Sequence, residues 1–183
     1  MRPDVEKLLR ATNDELAKCL ADGHAIDPAA LEEREYCGIS LGLPHLVETL
    51  TWKKFMKTFH RDPMTRALRG WNVRIVQSPL GDPSWEPMRD ERGEPRTFGH
   101  YEVRPLAEYK LPQRISRGLM LDYGRGRNRS IDPVRRVRDP LVAMREGDPS
   151  VLLGWSYVDL GLGQIGTPSY FVLTSPRPLS HRA

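Results

Sequence analysis

At Gly70 the chain changes period, and that change constrains the fold more than any other feature. Before it, apolar residues recur at helical spacing. Val5, Leu8, Leu9, Leu16, Cys19 and Leu20 predict an amphipathic helix over residues 4–21, with Gly23 as its stop. Asp27-Pro28 starts a short second helix running to about Arg34, with Asp as cap and Pro in the first turn. A connector at 36–44, rich in glycine and with room for a short strand, leads to a third helix over about 45–60. Its stripe is Leu46, Val47, Leu50, Phe55, Met56 and Phe59.

After Gly70 the pattern alternates. Strands are expected at 71–77, 97–104, 119–123, 141–144, 151–160 and 169–174. The links between them are too short or too irregular for crossover helices. Helices first and strands afterwards is the order of an α+β protein with an antiparallel sheet. Six or more such strands either leave two edges or close into a barrel. The expectation is one domain over 1–174, with a helical part at 1–69, a barrel part at 70–174 and a flexible tail at 175–183. The proline-rich segment 78–96 reads as a flap over a cavity mouth, anchored by Trp85.

Gly118-Leu-Met-Leu-Asp-Tyr-Gly-Arg-Gly-Arg-Asn128 is the strongest candidate site. An apolar strand runs into an acid, a phenol and arginines separated by glycine. A turn needs the glycines but not that set of polar groups. Asp122 and Tyr123 are neighbours on a strand, so they point to opposite faces. Leu119 and Leu121 share Tyr123's parity, which favours Tyr123 inside and Asp122 outside with an arginine. Residues 114–145 carry nine arginines, no lysine and three acids. That bias fits forked hydrogen bonding to carboxylates, within the protein or on a ligand.

Several functions lack their signature. Gly161-Leu-Gly-Gln-Ile-Gly166 matches a dinucleotide fingerprint, but Pro168 and a strand follow where a helix is required. No nucleophile elbow or phosphate loop is present. His24, His45, His60, His100 and His181 have no partners at metal-ligand spacing, so neither metal nor cofactor is expected. The arginines lack interleaved aromatics, which argues against nucleic acid. No apolar run approaches the roughly 20 residues of a membrane span. The acidic N-terminus is unlike a secretory signal, and Cys19 and Cys37 read as reduced thiols. These point to a cytoplasmic protein, with homo-oligomerisation left open.

Gly70-Trp71-Asn72, Leu121-Asp-Tyr-Gly-Arg-Gly-x-Asn128, Arg138-Asp-x-Leu-Val142 and Leu152-Leu-Gly-x-x-Tyr157 together resemble a group of uncharacterised bacterial proteins, over about residues 36–174. The strand-rich part also resembles lipocalin-like (calycin) barrels, which carry Gly-x-Trp near the first strand where this chain has Gly70-Trp71. A polyketide-cyclase-like α+β cone is the alternative fold. The lipocalin resemblance implies a barrel holding one small, largely apolar molecule with a polar or anionic end. Trp71, Tyr101, Trp155, Tyr157 and Tyr170 would line it. Asn72, Asp122, Tyr123, Asn128 and Arg138 would orient the polar end. The rival is a cofactor-independent cyclase, isomerase or lyase in the same cavity. There Asp122 or His100 would move a proton and Tyr123 would donate to an oxyanion. A weaker third reading is an RNA- or protein-interaction module.

Overall fold

The structure is a computed structural model that describes residues 2–42 and 53–183. Two short helices, α1 (Pro3–Arg10) and α2 (Asn13–Ala21), precede eight strands. The strands are β1 (Arg34–Leu41), β2 (Lys54–Arg61), β3 (Leu68–Arg74), β4 (Thr97–Pro105), β5 (Leu119–Asp122), β6 (Val137–Arg145), β7 (Asp148–Asp159) and β8 (Gln164–Pro178). Each pairs antiparallel with the next, and β8 returns to β1, so the sheet is a closed barrel in sequence order. This α+β architecture, helices followed by a closed antiparallel barrel, is the expected one and is consistent with a lipocalin-like fold.

Three expectations about the first 69 residues change. The first helix is two, because Thr12 and Glu15 form a reciprocal capping box that starts a new helix after Ala11. The second is one 3₁₀ turn, Pro28–Leu31, after which the chain goes straight into β1. The third expected helix falls partly on 43–52, outside the described residues; its remainder, from Lys54, is β2. Phe55, Met56 and Phe59 fit a helical stripe, but Lys54 and Lys57 are also buried, which leaves no polar helix face. The barrel therefore begins at β1, well before residue 70. The last residues are tied down: Leu179 N donates to Glu33 O, and Ser180 donates to the Glu35 carboxylate through N and Oγ.

Strand parity divides the barrel wall. Tyr36, Phe59, Leu68, Tyr101, Leu119, Leu121, Tyr123, Leu141, Leu152, Phe171 and Leu173 form the interior cluster, joined by Ile26 and Leu31 from the segment after α2. The opposite faces are buried too. Val5, Leu8, Leu16 and Leu20 of the helices cover Val142, Val151, Leu153, Trp155, Tyr170 and Val172 on the outer wall. Met56, Trp71, Val73 and Ile75 form a third patch, against Trp85 and Leu179. The segment 78–96 lies along this outer wall. Lys54 holds it there, its Nζ donating to the carbonyls of Pro79, Asp82 and Ser84 and sitting 4.6 Å from the Trp85 ring. Trp85 is an anchor as expected, but the segment contributes nothing to the interior cavity described next.

Candidate functional site

One end of the barrel interior contains a cavity of about 440 Å³, where β1, β3, β5 and β7 finish. It is lined by Phe55, Phe98 and Phe171, by Ser40, Ser156 and Ser169, and by Lys57, Asn72, Tyr123 and Asp139. That volume lies in the range of small-molecule sites.

Three glycines shape its walls. Gly38, Gly70 and Gly154 face inward, and the residue directly opposite each across the sheet is aromatic: Phe55, Tyr101 and Phe171. A Cβ at any of the three would overlap that ring. The missing side chain lets the ring lie flat over the neighbouring strand, a known compensation for glycine in a sheet. Three of the rings around Lys57 are set in this way. The Lys57 ammonium lies 4.8 Å from the Phe171 centroid, 5.1 Å from Tyr101, 5.3 Å from Tyr123 and 5.6 Å from Phe55. These separations are within cation–π range.

Hydrogen bonds complete the cage. Lys57 Nζ donates to Tyr123 Oη (2.7 Å), Asn72 Oδ1 (2.9 Å) and Asp139 Oδ2 (3.2 Å). That accounts for all three ammonium hydrogens. The Tyr123 hydroxyl donates to Asp139 Oδ2 at 2.9 Å. Asn72 is oriented by a bulge in β4. Gly99 takes φ +53°, and its carbonyl, with that of Phe98, accepts from Asn72 Nδ2, which turns Oδ1 toward the lysine. The Lys57 and Asp139 side chains are each only 3% exposed. Asp139 Oδ1 is buried and, among the described residues, has no hydrogen-bond partner.

Burial sets the protonation. Loss of water holds the Lys57 ammonium below its ordinary range, and the Asp139 charge and hydrogen bond offset part of that. Burial, then the Asp139 charge, raises the Tyr123 phenol well above 10, so it remains a proton donor.

Of the residues expected at the site, Asn72, Tyr101 and Tyr123 are on the interior side, and Tyr123 does share its face with the two leucines. The others lie elsewhere. Trp155, Tyr157 and Tyr170 stack on the outer wall beneath the helices, and Trp71 sits in the outer patch between His60 and His100. Their parity puts them outside, and the covering elements bury them there, so burial alone misleads.

Asp122 and Asn128 of the 118–128 turn bind the protein itself. Asp122 accepts from Tyr109 Oη and Gly124 N and pairs with Arg138 across the sheet at 3.2 Å. Arg138 also donates to the carbonyls of Arg135 and Val137. Asn128 bridges both backbone groups of His100 and the Tyr123 carbonyl. His100 is half-buried on the outside, where burial lowers its pKa.

Lys57 and Asp139 were missed. Lys57 was hidden in a supposed helix; with strand parity, Phe55-Met-Lys-Thr-Phe59 puts a lysine between two inward phenylalanines. Asp139 follows Arg138 and reads as an arginine's partner, yet parity sends the two to opposite faces.

No protein family, curated protein or solved structure matches the chain. The resemblance to a bacterial group finds no support there; what stands is the barrel. Among the described residues, no helix is long and apolar enough to cross a membrane.

Proposed function

We propose that the barrel binds one small, largely apolar molecule in this cavity, with its polar end on the Lys57–Tyr123–Asp139–Asn72 floor. The carrying observation is Asp139 Oδ1, a buried carboxylate oxygen at the edge of a cavity with no partner among the described residues. An unsatisfied buried acceptor is costly. A ligand hydroxyl or N–H would satisfy it. The floor already balances one lysine against one aspartate, so a polar neutral head suits it better than the anionic end considered from sequence. A buried ion pair adds little stability over apolar packing. Its place at the cavity, above an interior that is otherwise aromatic and aliphatic, supports a role in recognition. The two free thiols, Cys19 and Cys37, support a cytoplasmic setting.

The test uses a neutral, environment-sensitive naphthalene dye and the variant Ser169→Trp, which adds bulk to the cavity wall and leaves the residues of the polar floor unchanged. The parent is expected to enhance dye fluorescence, and the variant to lose at least about tenfold in affinity while unfolding at a similar temperature. Equal binding by both proteins would move the site elsewhere.

A further inference from the structure

We propose that Lys57 is a nucleophilic amine that captures a carbonyl compound, an apolar aldehyde or unhindered ketone, as an imine inside the cavity. This rests on the ligand-binding reading and names the class of ligand.

The geometry supplies each part. Lys57 lines the cavity, with its Nζ beside the other polar lining residues Tyr123, Asn72 and Asp139. Asp139 Oδ2 is 3.2 Å away, and the Tyr123 hydroxyl contacts both groups. Transfer of one proton from Nζ to Asp139 turns a buried ion pair into a neutral amine and a carboxylic acid. Burial lowers the lysine's affinity for its proton, and Asp139 Oδ2 is placed to receive it. An ordinary exposed lysine is neutral in roughly one molecule in a few thousand at pH 7. Lys57 has an advantage over it in both protonation and placement.

The step balances. The Nζ lone pair forms the C–N bond, and the carbonyl π pair moves to oxygen, which takes the proton held by Asp139. The nitrogen, now positively charged, returns a proton to Asp139. Asp139 passes that proton to the new hydroxyl, which leaves as water while the nitrogen lone pair forms C=N. The product is a protonated imine beside an ionised Asp139. Net, an aldehyde and an ammonium–carboxylate pair give an iminium–carboxylate pair and one water, with no oxidant or reductant. The iminium lies where the ammonium lay, among the rings of Phe55, Tyr101, Tyr123 and Phe171. Asp139 Oδ1, unpartnered in the free protein, is available to hydrogen-bond the carbonyl or carbinolamine oxygen when Asp139 is protonated.

The experiment treats the whole chain at pH 7 with cinnamaldehyde and sodium cyanoborohydride, which reduces an imine to a stable secondary amine. Peptide mass mapping then locates the adduct. Lys57 is expected to carry a cinnamyl group at least about tenfold faster than Lys7, Lys18 or Lys110. Ser169→Trp should abolish the excess. Asp139→Asn, which removes the proton carrier, should slow the reaction by about 100-fold. If the parent binds the dye yet Lys57 reacts no faster than the other lysines, the amine is not a nucleophile and the imine proposal falls while the binding reading survives. Failure to bind either probe would overturn both.

Discussion

Lys57 is the costliest residue in the barrel interior. Its charge is held by Asp139, two hydroxyl or amide oxygens and four rings, all out of water. Removing one member of such a pair strands the other. Lys57→Met should therefore destabilise the fold by about 3–5 kcal/mol in urea unfolding at pH 7. The double variant Lys57→Met, Asp139→Leu should recover most of that loss or exceed the parent, because apolar packing often matches a buried pair. A double variant as unstable as the single one would mean that the pair, not its isolation, stabilises the barrel. The sign with pH is also set. The folded pKa of Lys57 lies below its ordinary 10.5, so between those values the unfolded chain binds more protons. Stability contributed here rises as pH climbs through that window and falls as pH drops. Unfolding curves taken from pH 7 to 10 should show a more positive slope for the parent than for the double variant. At this scale the sequence was half legible: the two leucines correctly predicted that Tyr123 faces inward. Nothing local to Lys57 or Asp139 showed that they meet, since they lie on β2 and β6.

The strands and their pairings explain why. β3 to β8 are readable as runs rich in Val, Leu, Trp and Tyr bounded by glycine and proline. β2 is not, because Phe55, Met56 and Phe59 fall at helical spacing and its buried Lys54 and Lys57 look like a polar face. Trp155, Tyr157 and Tyr170 were placed in the cavity because they are large and lie in strands; parity and the helices place them on the outer wall. The β7–β8 register is regular at Gly154, with irregularity only between Trp155 and Tyr157, and the glycine makes room for Phe171. Gly154→Val should displace that ring, destabilise the protein by about 1–3 kcal/mol and weaken dye binding. A variant with parent stability and parent affinity would show that the Gly–aromatic pairs do not shape the cavity.

For the whole molecule, one closed sheet is buried on both faces over much of its circumference. Helices α1 and α2 protect the outer wall, and Ile26 and Leu31 join the interior aliphatic cluster. Asp122 and Asn128 of the arginine-rich turn brace the rim, with Arg138 and His100 respectively, while Arg125, Arg127 and Arg129 are exposed. What remains for chemistry is the cavity and its polar floor. The central claim, that this floor receives a small molecule, is tested most directly by native mass spectrometry of the chain purified without denaturation from the organism that makes it. The expected spectrum shows one small molecule per chain, carried by the parent and absent from Ser169→Trp. A parent that flies bare in repeated preparations, with the same profile as the filled variant, would contradict the account.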